Sequence, residues 1–353
     1  MKLYSNVSII FLIWLGAVLA IFYLGFSTLP QTDLFPGDFI KNLANWDGGH
    51  YLGIADGYDK PFQYVFFPLY PILINLVGKI TGSFLIAGLV ISLVSIFLAV
   101  NIFYSLVKSE FGKEHALKAL LALIFFPLSF HFLTVYTESL FMLLTLATFL
   151  FARKKRFLLA AFFAALASAT RLAGLATVLS LVLSVYLTEG INKKNWWVIF
   201  SPLGFLIYIS YLYIQTGDPF YFVKGQSTFW HEGLVLPGSA LVYSLKQILT
   251  TDSVMSNFRI ILDFVFASFG IFTVWKVYKK LSLDYAIFSI VSLMLTMFSP
   301  TIVAMPRYLL TIFPIFIVWG FYKNQYINLA YQIIALMLLA IYAVLFINGY
   351  WVS

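Results

Sequence analysis

The stretch FPLYPILINLVGKI, residues 67–80, decides how this chain is threaded. It is apolar over 14 residues, short of the roughly 20 a helix needs to cross a bilayer. A bilayer is the right setting. Of the 353 residues 62% are hydrophobic and 10% charged, where a soluble domain carries about 25% charged residues. Reading 67–80 as a re-entrant or surface-lying helix leaves about eleven spans. They cover residues 6–28, 82–107, 115–133, 138–152, 157–170, 172–189, 196–215, 258–279, 283–303, 306–322 and 326–350. The first run is too long for a signal-peptide core and is read as a retained helix. With no cysteine, disulfides are excluded and redox says nothing of compartment.

The basic residues test that reading. With the N-terminus inside, 14 of the 22 Lys and Arg fall on cytoplasmic loops, among them RKKR at Arg153–Arg156, as the positive-inside rule requires. Glu110, Glu114, Glu189 and Asp284 fall inside, and the other 10 acidic residues outside. Counting 67–80 as a span would carry RKKR outside and destroy the bias. The net charge of +8 is scattered among spans, which fits a basic cytoplasmic face and not nucleic-acid binding. The expected architecture is an all-α integral membrane bundle, one domain over 1–353, with larger extracytoplasmic loops at 29–81 and 216–257.

This threading puts every polar and aromatic cluster on the extracytoplasmic side: WDGGHY in the first loop, TVYTES at 134–139, ATRLAG at 169–174, GDPFYFVKGQSTFWHEG in the second loop, and SPTIVAMPRY at 299–308. Asp47 lies between Trp46 and Gly48-Gly49, glycines that would let the backbone turn tightly and approach a ligand. Its carboxylate is a candidate general base for a hydroxyl, against a capping aspartate in a solvated turn. His50, three residues on, would share a helical face with Asp47. It is read as a catalytic partner that binds a phosphate, positions a substrate or ligates a metal, against a polar residue satisfied by Asp47, with Tyr51 beside it. Asp33, Asp38, Asp47 and Asp56 offer oxygen ligands for a divalent cation, but their spacing matches no metal motif. No cofactor is established from the residues, and a divalent metal stays open.

Arg171 and Arg307 end very apolar spans. Charge at such depth is costly, and arginine grips phosphate with two parallel hydrogen bonds; the plain alternative is snorkelling to headgroups. Tyr136, Glu138, Gln226, Trp230 and Tyr308 complete the substrate-binding candidates. Glu138 would support the base or bond Arg171, or stand at a helix start capped by Thr137. Trp230 would stack on a sugar or belong to an interfacial belt. His131, Lys224, His231 and Glu232 are weaker candidates. The FFPLYP run at 66–71 has two prolines at a helix start and would lie at the membrane surface, guiding a lipid tail.

Taken together, WDGGHYLGIADGY, FFPLYP, YTESLF, ATRLAGL, the GDPFYFVKGQSTFW loop and PRYLLTIFPIF resemble the PIG-V mannosyltransferases, which add the second mannose in GPI-anchor assembly and have prokaryotic relatives. The motifs cover most of the chain in the family's order. Where the eukaryotic enzymes have a WDA motif, this chain has WDGGHY. The resemblance implies a GT-C fold and an active site outside the cytoplasm. It also implies a donor sugar on polyprenyl phosphate, a glycan or glycolipid acceptor, and a catalytic role for Asp47. Asp47 would take the acceptor proton. Arg171 or Arg307, with His50, would stabilise the departing phosphate, and a β-linked donor would give an α-linked product. A GT-C transferase for another sugar, a transporter or flippase of lipid-linked sugars, and a noncatalytic lipid-binding subunit remain open on the residues alone. Transporters tend to show repeated halves, and no repeat is evident. Chain size and the lack of a targeting signal place it in a prokaryotic plasma membrane.

Overall fold

The computed structural model describes residues 2–33, 37–230, 233, 235–250 and 254–352; side chains are described for all of these except 2–6, 230 and 254–258. Among the described residues every regular element is helical and none is a strand. A helix satisfies its own backbone hydrogen bonds, which hydrocarbon cannot do for it. Among the described residues five segments are long and apolar enough to span a bilayer: Val7–Thr28, Phe84–Phe111, Trp196–Thr216, Arg259–Lys280 and Gln325–Ile347. The chain is a multi-pass membrane protein.

Other expected spans are interrupted, and proline is the recurrent cause, because it lacks an N–H and disfavours the helical conformation before it. The segment 115–133 is a helix, Lys113–Ile124, followed across Pro127 by a 3₁₀ turn, Ser129–Leu133. Helix Leu283–Met297 stops ahead of Pro300. The segment 306–322 is two short helices, Met305–Leu310 and Pro314–Trp319, meeting at Pro314. The second large loop is itself partly helical, over Tyr221–Trp230 and Ser239–Thr250.

The deciding stretch forms helix Leu69–Thr81. Its 13 residues reach about 20 Å at ~1.5 Å per residue, against a hydrocarbon core of about 30 Å. Gly82, at φ +71°, turns the chain back into helix Phe84–Phe111. Gly78 lets the two helices touch, since a Cβ there would stand 2.4 Å from Phe84 Cδ1. Tyr70, Pro71, Ile74 and Gly78 are buried, whereas Ile72, Leu76 and Ile80 are exposed.

The chain forms two compact units, one of Met1–Gly57, Leu69–Leu150 and Phe316–Val352, the other of Tyr58–Pro68 and Phe151–Ile315. In the first, helix Lys2–Thr28 packs on Gln325–Ile347 and on Phe84–Phe111. Gly25 admits Val344, and Asn348 Nδ2 donates to the Gly25 carbonyl at 3.0 Å. In the second, Gly174 and Gly204 allow close packing around helix Phe157–Ser168. A Cβ on Gly174 would lie 2.2 Å from the Ala167 carbonyl oxygen, and one on Gly204 1.9 Å from that of Ala165. At one end of this unit Arg153 pairs with Asp284 and covers the Tyr285 ring at 4.9 Å, and Lys155 meets Glu189 at 3.1 Å. Those two acids are among the four assigned to the same side as RKKR from sequence.

The first large loop divides at Gly57. Beyond it, Tyr58–Pro68 packs on helices of the second unit: Tyr208 donates to the Tyr64 carbonyl at 2.6 Å, and Gly225 gives way to Val65.

Candidate functional site

The candidates fall into an acidic group in the first unit and a basic group in the second. Asp47 opens helix Asp47–Ile54, which places His50 one turn along the same face. Both side chains are half-buried. The tight turn falls to Trp46 and not to the glycines, with φ +59° and ψ −121°. That conformation is costly for a side-chain-bearing residue and persists only when its surroundings impose it. Gly48 serves close approach instead: a Cβ there would lie 3.2 Å from the Val135 carbonyl oxygen and 3.3 Å from Ala44 Cβ.

The TVYTES segment imposes the turn. Val135 N–H donates to the Leu43 carbonyl at 3.0 Å, and the Tyr136 hydroxyl to the Asn45 carbonyl at 3.1 Å. Asn42 and Asn45 side chains donate to the carbonyls of Ile347 and Phe346, each at 2.9 Å. Tyr136 is 2% exposed, and His131, fully buried, lies against its ring at 4.6 Å. Both therefore underpin the loop from behind. Tyr70 of FFPLYP ties a third motif in. Its hydroxyl bonds Ser92 Oγ at 2.8 Å and the Gly88 carbonyl at 3.0 Å, and its ring meets Tyr51 edge-on at 5.3 Å. Glu138, 2% exposed, opens helix Glu138–Arg153 two residues after Tyr136. Sequence reasoning did not single out Asn45, Tyr70 or Ser92; small polar residues inside apolar runs were the available signal. Among the described residues no three His, Asp or Glu side chains gather as metal ligands. Asp38 instead caps helix Phe39–Asn42, accepting from Ile40 N–H at 2.8 Å.

In the second unit Arg171 stands in the short turn between helices Phe157–Ser168 and Gly174–Glu189, the turn that Gly174 makes possible. Arg307 lies in helix Met305–Leu310, entered through Ala304 at φ +64°. The two guanidinium groups converge on one ring, Tyr308, at 5.9 Å for Arg171 and 5.8 Å for Arg307. Arginines from segments far apart in sequence thus lie beside one aromatic ring. Gln226 is exposed on helix Tyr221–Trp230, one residue beyond the Gly225 contact with Val65. Trp230 ends that helix; its side chain, like His231 and Glu232, lies outside the described residues.

A family model for mannosyltransferase (PIG-V) matches residues 31–212, more than half of the chain. The chain belongs to the PIG-V mannosyltransferase family. The matched residues include Asp47, His50, Tyr136, Glu138 and Arg171; Gln226, Trp230, Arg307 and Tyr308 lie beyond them. No curated protein matches the chain. Among solved structures it resembles ArnT from Cupriavidus metallidurans bound to undecaprenyl phosphate, at 15% identity and a TM-score of 0.53, over 92% of this chain and 62% of ArnT. The apo form of the same protein matches at 16% identity and a TM-score of 0.48, over 92% and 61%. The PIG-V chain thus has an ArnT-like, GT-C fold and spans less than two thirds of ArnT's length.

Proposed function

We propose that this PIG-V family member transfers a mannosyl residue from polyprenyl-phosphate mannose to an extracytoplasmic glycan or glycolipid, with inversion. It would do so as one catalytic domain of about eleven spans in the cell membrane. The observation that carries the reading is the convergence of Arg171 and Arg307 on Tyr308 in a chain of mannosyltransferase family. ArnT's bound undecaprenyl phosphate supports a polyprenyl donor for the shared fold.

The roles follow from the chemistry. Asp47, on a turn held by the hydrogen bonds of Tyr136 and Val135, accepts the proton of the acceptor hydroxyl as that oxygen attacks the anomeric carbon. The bond from that carbon to the lipid phosphate breaks, and its electrons leave with the phosphate. Arg171 and Arg307 meet the growing negative charge, with His50 as a further donor. Trp46, Tyr51, Glu138, Gln226 and Trp230 orient the sugars. No step uses a nucleotide or a resident cofactor.

The test is mannose transfer by the purified chain in detergent, with polyprenyl-phosphate mannose and a panel of acceptors. Transfer, or slow donor hydrolysis, that vanishes in Asp47→Asn supports the proposal. Absence of donor binding by the wild-type chain refutes the donor assignment.

A further inference from the structure

A cavity of about 290 Å³ lies within the second unit, where helix Ser239–Thr250, the outer end of helix Val254–Lys280 and residues 301–303 meet. Its polar lining is Ser244, Gln247, Arg259, Asp263 and Thr301, and three aliphatic side chains complete the wall. Asp263 is the unusual member. It sits one turn inside an apolar span and is only 6% exposed, and an ionisable residue in such a place marks a functional site by default. Arg259, four residues earlier on the same helix, shares the lining. Its carboxyl group brings hydrogen-bonding oxygens to the cavity wall.

Size and chemistry narrow the occupant. The volume is at the small end for ligand pockets, about 300–1,000 Å³, and far too small and polar for a polyprenyl tail. Asp263 shares the lining with Arg259 and offers that guanidinium an acid partner, which disfavours phosphate; Arg171 and Arg307 are better placed for that. Carboxylate, amide and hydroxyls in one small chamber, with aliphatic groups beside them, complement a ring that has hydroxyls on its edge and C–H groups on its face. We infer that this cavity is a sugar subsite that holds one neutral hexose ring, with Asp263 and Gln247 receiving its hydroxyls. The origin of the sugar, as donor headgroup or acceptor terminus, rests on the transferase reading; the binding itself does not.

The test uses the full chain in detergent with methyl α-mannoside as probe, read by saturation-transfer NMR, beside transfer kinetics. Gln247→Ala and Thr301→Val each remove one polar group from the lining and leave Asp263 in place; thermal unfolding checks that both variants are folded. Each should cut the probe's affinity about five-fold, the usual worth of one hydrogen bond; Asp263→Asn should cut it further. A matching rise in acceptor KM alone identifies the acceptor's sugar, and a rise in donor KM alone the donor's. Saturation transfer that is absent in the wild type, or equal in wild type and both wall variants, overturns the inference. Probe binding that depends on Gln247, in a chain that transfers nothing, would keep the subsite and remove the transferase reading.

Discussion

Asp47 and Arg307 both stand in the first turn of a short helix entered through a non-glycine residue at positive φ, Trp46 at +59° and Ala304 at +64°. Their surroundings differ. The Asp47 turn is held by directional bonds: the Val135 N–H, the Tyr136 hydroxyl and the Asn45 amide all fix its backbone. The arginine group comes together at one side chain, with both guanidinium groups near the Tyr308 ring. A proton acceptor must meet a hydroxyl within hydrogen-bond reach, and fixed backbone serves that. A phosphate arriving on a long lipid presents several equivalent oxygens, and two guanidinium groups side by side can meet more than one of them.

The contrast can be broken by substitution. The largest effect belongs to Asp47→Asn, expected to lower turnover by about 10²–10⁴-fold in a transfer assay, with folding and donor binding intact. Replacing Arg171 or Arg307 by alanine should instead weaken donor affinity about 10–100-fold, the worth of a hydrogen bond to a charged group, measured by donor titration. Gly48→Ala pushes a methyl group against the Val135 carbonyl and Ala44; it should cost about 1–3 kcal/mol in thermal unfolding and lower turnover without changing donor affinity. The smallest effect is that of Tyr308→Ala. Loss of the shared ring should reduce donor affinity about two- to five-fold, whereas Tyr308→Phe, which keeps the ring, should leave it unchanged.

Apolar run length and charge made the helical membrane architecture legible, because hydrocarbon enforces both. The pairing of Arg153 with Asp284 and of Lys155 with Glu189 agrees with four charges assigned to one side from sequence. The shared face of Asp47 and His50 could likewise be read from their spacing once the loop was helical. Other features could not. Gly48-Gly49 advertised a tight turn, but Trp46 makes it, since long-range bonds from Val135 and Tyr136 override local preference. Tyr136 looked like a substrate contact by its position in YTES, and its hydroxyl is engaged by the Asn45 carbonyl. Breaks at Pro127 and Pro314 were visible as letters, yet apolar composition carried the span assignments across them. Asp263 was hidden inside an apolar run, and only the folded chain shows it lining a cavity.

Donor affinity of Asp47→Asn, measured with polyprenyl-phosphate mannose beside the wild type and Arg307→Ala, tests the division of labour most directly. The account predicts that Asp47→Asn binds the donor like the wild type while transferring no sugar, and that Arg307→Ala binds it about 10–100-fold more weakly. An Asp47→Asn variant that loses donor affinity as Arg307→Ala does, or that keeps near-normal turnover, would contradict it.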